Sequence, residues 1–208
     1  MNNDIIIDYL KQKFPTPRCE LNYKNMFELL IAVMLSAQCT DKRVNNVTPC
    51  LFEKYPTAED LANADIEDVK NIIKSCGMFN TKAKNIISCS KKLVSDYNGV
   101  VPSTIEELSG LDGVGRKTAS VVLCEGFKIP AMPVDTHIFR ISRRLGISQS
   151  NNVTGVENDL KKSFDKSEWA DLHLRLVLFG RYYCKAVKPM CEDCLLKDIC
   201  KYYSEKKD

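Results

Sequence analysis

The chain has 208 residues, 44% of them hydrophobic and 27% charged, with a formal net charge of +3. Length and apolar content suit one large domain or two small ones with closed cores, and no run of about 18 apolar residues is present to cross a bilayer. Charge this mild does not by itself announce a nucleic-acid partner. The opening MNNDIIIDYLKQKF carries acidic residues and no cleavable signal pattern, which predicts a cytoplasmic protein with no membrane association.

In chain order, an amphipathic segment with Ile5, Ile6, Tyr9 and Leu10 is broken at Phe14-Pro15-Thr16-Pro17. A helix is expected over Met26 to Ala37, with Phe27, Leu30, Ile31, Met34 and Leu35 on one buried stripe and Asn25 and Glu28 as a capping pair. It ends in Ser36-Ala37-Gln38-Cys39-Thr40-Asp41, polar residues that read as caps or as a site. Further helices carry Val44, Val47 and Leu51, follow Thr57, and run from Asp65 through Ile72 and Ile73 to Gly77. Met78 to Lys82 reads as a turn, and a longer helix then runs to about Tyr97, closed by Asn98-Gly99. Later helices are expected over Thr136 to Leu145, stopped at Gly146, over about Val153 to Phe164, and over about Trp169 to Arg181. No stretch alternates apolar and polar residues as a half-buried strand would, so the expected class is all-α. Ile129-Pro130-Ala131-Met132-Pro133 is the best candidate for a domain boundary.

The central stretch is Leu111-Asp112-Gly113-Val114-Gly115-Arg116-Lys117-Thr118-Ala119. Ser103 to Gly110 reads as a short capped helix, Gly113 and Gly115 as a tight turn with both glycines free to take positive φ, and Ala119, Val122 and Leu123 as the apolar face of a second helix. Helix, hairpin, helix results. The backbone N–H groups that open the second helix suit a phosphate. Lys117 falls in its first turn beside Arg116. A lysine amine is a nucleophile only when neutral, and a helix start, a cationic neighbour and partial desolvation all disfavour its charge. Asp135, before Thr136-His137-Ile138, reads on its own as a helix N-cap. Arg140, Arg143 and Arg144 follow it, and Arg181, Lys185 and Lys188 flank Cys184; taken singly, each reads as part of a solvated charged face.

Of ten cysteines, Cys19, Cys39, Cys50, Cys76, Cys89 and Cys124 are scattered, and most are expected to be buried free thiols. The other four are spaced Cys184-x6-Cys191-x2-Cys194-x5-Cys200. Four thiolates in one segment hold either zinc or an iron–sulfur cluster, and the spacing alone leans slightly to zinc because C-x2-C is its commonest unit.

Together, LDGVGRKTA, VDTHIFR and the four C-terminal cysteines resemble the endonuclease III family of helix-hairpin-helix DNA glycosylase/AP lyases, over nearly the whole chain from Phe27-Glu28-Leu29-Leu30-Ile31-Ala32 to Cys200. The resemblance implies an all-α, two-domain fold: a six-helix barrel domain over 22–132, and an iron–sulfur cluster domain from 1–21 and 133–208. It implies a bifunctional glycosylase/AP lyase that acts as a monomer on double-stranded DNA with oxidised pyrimidines or abasic sites. Lys117 and Asp135 would be catalytic, facing the same extruded nucleotide. Lys117 would attack the sugar C1′, and β-elimination would cleave 3′ to the abasic site. Cys184, Cys191, Cys194 and Cys200 would hold a [4Fe-4S] cluster, which settles the metal against zinc.

Further contacts with DNA follow from the same resemblance. Gln38 would fill the space left by the extruded nucleotide, Met78 would serve as a wedge where relatives often carry leucine, and Asp41 would line the pocket. Gly113 and Gly115, with a monovalent cation when DNA is bound, would grip a phosphate, aided by Arg116, Lys185 and Lys188. Gln38 and Asp41 taken alone would be an ordinary polar helix end and an N-cap. Related adenine glycosylases typically lack the hairpin lysine and carry a glutamate where this chain has Ala32, and 8-oxoguanine glycosylases with a hairpin lysine usually lack the cysteine tail. A non-catalytic DNA-binding module would not need both Lys117 and Asp135, and an electron carrier would leave the helical remainder without a purpose. Lesion spectrum is left open, as are the roles of His137, His173 and Phe179, the last standing where close relatives often carry histidine.

Overall fold

The computed structural model describes residues 3–206, and these contain twelve α-helices, two short 3-10 turns and no strand. The chain divides into two compact units, one formed by Cys19–Lys128 and the other by Met1–Arg18 with Ile129–Asp208. The cut falls at Lys128, a residue with φ +56, at the edge of the Pro-rich stretch.

In the Cys19–Lys128 unit the helices are α2 (Met26–Ser36), α3 (Asp41–Lys54), α4 (Ala58–Ala62), α5 (Ile66–Ile73), α6 (Phe79–Tyr97), α7 (Ile105–Ser109) and α8 (Arg116–Glu125). α2 is the axis. Every residue from Phe27 to Leu35 is buried, so the helix is enclosed on all sides and has no single stripe. α3, α6 and α8 pack on it, α4 and α5 pack on α6, and α7 packs on α8. Burying each of Leu29, Leu30, Ile31 and Leu35 is worth about 1.5–3 kcal/mol. Asn25 Oδ1 accepts from Glu28 N at 2.9 Å and Glu28 Oε2 accepts from Lys24 N at 2.7 Å, which closes the start of α2. α6 begins directly after Met78, so Phe79 to Lys82 are helical and the expected turn is confined to Met78 itself.

The second unit holds α1 (Asn3–Lys13), α9 (Thr136–Arg144), α10 (Val153–Ser163), α11 (Trp169–Tyr182) and α12 (Lys201–Ser204). α11 packs on α9 and α1 on α11, with α10 and α12 also against α9. Ile6, Tyr9 and Leu10 of α1 are buried there, whereas Ile5, expected on the same face, is 50% exposed. Arg175 ties the end of α1 to α11: its Nε donates to Phe14 O at 3.1 Å and its Nη2 pairs with Asp171 Oδ2 at 3.0 Å.

Candidate functional site

The hairpin of the first unit is held by α6. Lys92 Nζ donates to Gly110 O at 2.7 Å, the Ser88 hydroxyl donates to the Asp112 carboxylate, and Leu111 and Val114 anchor the turn in the core. Gly113 has φ +75, and a Cβ there would stand 2.7 Å from Asn85 Cβ, so only glycine fits. Gly115 differs from expectation: its φ is −82, an ordinary extended value, and a Cβ would meet nothing within 4 Å. Its lack of a side chain leaves open space before the first turn of α8, which has no side-chain cap. Arg116 and Lys117 are both exposed in that turn. Among the described residues no ion pair or hydrogen bond engages the Lys117 amino group. The expected partial desolvation of Lys117 is therefore not supplied by the chain itself.

Two further turns of this unit come together. Gln38 and Met78 are both exposed, and both sit in the left-handed region, with φ +54 and +55. Non-glycine residues adopt that conformation at a cost, and only where surrounding structure holds them. A Cβ on Gly77 would lie 3.7 Å from Gln38 O, so the turns are in contact. Lys82 Nζ donates to Leu35 O at 2.8 Å and Arg43 Nη1 to Ser75 O at 3.2 Å, bracing both. Asp41 is the first residue of α3, half-buried; the N-cap is Thr40, whose Oγ1 accepts from Arg43 N at 3.3 Å.

In the other unit Asp135 is the N-cap of α9, its Oδ1 accepting from Ile138 N at 2.8 Å. That bond uses one carboxylate oxygen. His137 is half-buried with Nδ1 3.2 Å from Arg140 Nη2, and its imidazole is held below the ordinary value, first by burial and also by Arg140, against the opposite pull of Asp135. His173 is a core residue, with Nδ1 2.9 Å from Pro133 O.

Cys184, Cys191, Cys194 and Cys200 line one cavity, together with Phe179, Tyr183 and Arg144. None of the ten cysteines is in a disulfide. Among the described residues no three His, Cys, Asp or Glu side chains converge as a single metal ion would require. The donor set nevertheless suits a larger soft group. Burial pushes the Cys194 and Cys200 thiols up, while N–H groups of Leu196, Tyr202 and Tyr203 and the Tyr9 hydroxyl, all directed at these sulfurs, pull them down. Bonds of that kind stabilise thiolate ligands. Lys185 and Lys188 are exposed in the loop after Cys184. Arg140 and Arg144, read from the sequence as part of a charged face, turn inward to build this loop. Arg140 donates to Gly180 O and Cys184 O, each at 2.9 Å, and Arg144 donates to Lys185 O at 2.7 Å and Ala186 O at 3.1 Å while lying over the Tyr202 ring.

The structural roles of four residues escaped the sequence reading. Lys82 left a signal, because it sits in the apolar period of α6 with Ala83, Ile86, Ser90 and Leu93, where an unpaired lysine is not tolerated. Tyr9, Arg140 and Arg144 left none, since their partners are backbone carbonyls and a sulfur far away in the chain. Of the six scattered cysteines only Cys76, Cys89 and Cys124 are buried; Cys19 and Cys39 are half-buried and Cys50 is exposed.

Residues 31–166 match the HhH-GPD superfamily base excision DNA repair protein family. The chain is 46% identical to Endonuclease III of Bacillus subtilis over 199 residues, covering 95% of this chain and 91% of the relative. It is 44% identical to Endonuclease III of Escherichia coli K12 over 197 residues, covering 95% and 93%. The chain belongs to the endonuclease III family. A trapped Endonuclease III–DNA covalent intermediate superposes with a TM-score of 0.95 at 44% identity, covering 100% of both chains. A thermostable thymine-DNA glycosylase, 23% identical, shares the fold with a TM-score of 0.88 over 98% of this chain and 97% of that one. Membership in the endonuclease III family makes this protein a DNA glycosylase of base excision repair, with the all-α helix-hairpin-helix fold.

Proposed function

We propose that this glycosylase is bifunctional: it removes oxidised pyrimidines from double-stranded DNA and cleaves 3′ to the abasic site. The observation that carries the reading is Lys117 itself, exposed with an unengaged amino group in the first turn of the uncapped helix α8. Once neutral, that amine attacks the sugar C1′ and a nitrogen–carbon bond forms. The glycosidic bond breaks, and its electron pair leaves with the base, which takes up a proton. Opening of the sugar ring then gives an iminium at C1′, loss of a C2′ proton follows, and the 3′ phosphate is eliminated. Desolvation of Lys117 comes from bound DNA, since the chain does not bury it.

Asp135 stabilises positive charge on the sugar and moves protons, using the carboxylate oxygen that does not cap α9. Gln38 and Met78, adjacent and exposed, occupy the space opened by the extruded nucleotide, and Asp41 lines the base pocket. Gly113 and Gly115, with a monovalent cation in the DNA-bound state, hold a backbone phosphate, and Arg116, Lys185 and Lys188 add charge. Cys184, Cys191, Cys194 and Cys200 would hold a [4Fe-4S] cluster, which would give the basic loop a rigid anchor; the cavity lined by all four cysteines and the N–H groups directed at Cys194 and Cys200 support it. The protein acts as a monomer in the cytoplasm, built from a barrel domain that contains the hairpin and a domain that holds the cluster.

Borohydride trapping on duplex DNA with one abasic site tests the reading. A covalent adduct is expected with the native protein and none with Lys117→Ala. An undiminished adduct in the variant, or none in the native protein, overturns it.

A further inference from the structure

Two thiols lie where the Gln38 and Met78 turns meet. Cys39 follows Gln38, and Cys76 precedes Gly77 and Met78. Cys39 is half-buried and Cys76 is 1% exposed; neither is in a disulfide, and Cys39 is near enough to act on the Cys76 thiol. The flanking backbone is in left-handed conformations at Gln38 and Met78, and the two turns already touch through Gly77 and the Gln38 carbonyl. A covalent link here would join the two turns directly.

We propose that Cys39 and Cys76 are a redox pair, closing to an intramolecular disulfide by exchange with a small-molecule disulfide of the glutathione type, and that the link slows excision by fixing the two turns. The second half rests on the roles proposed above for Gln38 and Met78.

The more accessible Cys39 starts the exchange. Its thiolate attacks one sulfur of the small disulfide, forming a mixed disulfide and releasing one thiolate, which takes up a proton. Cys76 then attacks the Cys39 sulfur, its proton passing to the departing small thiolate, so that the internal bond forms and the second small thiol is released. Two protein thiols and one small disulfide thus become one protein disulfide and two small thiols. Burial, then the Cys39 sulfur, push Cys76 up to about 11, which favours the more accessible Cys39 as the first to react.

The test uses the whole protein, treated anaerobically with oxidised glutathione, with iron content checked before and after. Trypsin digestion without reduction is expected to yield a linked species joining residues 25–42 to 75–82, lost on reduction with dithiothreitol. The rate of borohydride trapping on duplex abasic DNA should fall about tenfold or more, as displacement of a positioning group does, and recover on reduction. Cys39→Ser should be insensitive to the treatment, and Cys76→Ala should stop at a glutathione adduct on Cys39 and give no linked species. Absence of the linked species, or a persistent glutathione adduct on Cys39 alone, overturns the pair; a linked protein with undiminished trapping overturns its effect. A reduced protein that never traps counts against the lyase reading instead, and the linked species still decides the pair.

Discussion

Lys82 Nζ donates to the Leu35 carbonyl at 2.8 Å from a side chain only 5% exposed, and so closes the last turn of α2 from the start of α6. Carbonyls at a helix C-terminus have no partner within the helix, and a donor there also meets the favourable end of the helix dipole. The Gln38 turn begins two residues later, so its position depends on this bond. Lys82→Met keeps the stem of the side chain and removes the donor. Leaving Leu35 O unpaired in the core should cost about 1–3 kcal/mol in chemical unfolding. Affinity for duplex DNA with an abasic-site analogue should fall as well, because the turn loses its brace; unchanged stability and affinity would show the bond to be dispensable.

The two hairpin glycines should respond in opposite ways. Gly113→Ala puts a Cβ 2.7 Å from Asn85 Cβ at φ +75 and is expected to destabilise the protein by about 1–3 kcal/mol. Gly115→Ala meets no neighbour and an ordinary φ, so its unfolding midpoint should stay within experimental error. Its methyl group would occupy the space before α8, and DNA affinity should drop at unchanged stability. Parallel denaturant melts and binding titrations separate the two. Equal destabilisation by both would mean that Gly115 is held by something other than its open approach to a ligand.

Much of this was legible in the residues, and what was not has a physical reason. Helix starts were readable because Asn25, Thr57, Thr104 and Asp135 cap through side chains that the sequence displays. The start of α6 was not, since Met78 caps with no side-chain bond and enters the helix through a left-handed backbone. Period alone showed α2 as one-sided, because Glu28, polar in sequence, is buried by its bond to Lys24 N. Spacing pointed to the four clustered cysteines as one group, and all four line one cavity, while the role of Arg144 depends on carbonyls some forty residues away. Lys117 shows the reverse: its position was readable, but its exposure was not, and the assumed burial is absent.

The low imidazole affinity of His137 predicts an acid-side loss of stability. An unfolded histidine titrates near pH 6.5, and burial, helped by Arg140, holds the folded value lower. Below pH 6.5 the unfolded chain therefore binds more protons than the folded one, so this contribution is present above that pH and is lost as pH falls toward the folded value. Denaturant midpoints at pH 8 and pH 5.5 should differ more in the native protein than in His137→Gln. A slope unchanged by the substitution would place the acid sensitivity elsewhere.

Arg144 carries the last expectation. One guanidinium donates to Lys185 O and Ala186 O, contacts Cys184 Sγ at 3.4 Å and lies 4.3 Å from the Tyr202 ring centroid. A lysine has neither the planar fork nor the stacking face to replace it. Arg144→Lys should therefore loosen the segment after Cys184, with trypsin cutting after Lys185 at least several-fold faster than in the native protein, where the main chain is held. If these cysteines ligate a cluster through that loop, iron and sulfide content should fall in the same variant, and the salt dependence of DNA binding should weaken as Lys185 and Lys188 lose their fixed positions. Cleavage at the native rate with full iron content would mean that the loop keeps its shape without the guanidinium, leaving the N–H groups at Cys194 and Cys200 as its principal support.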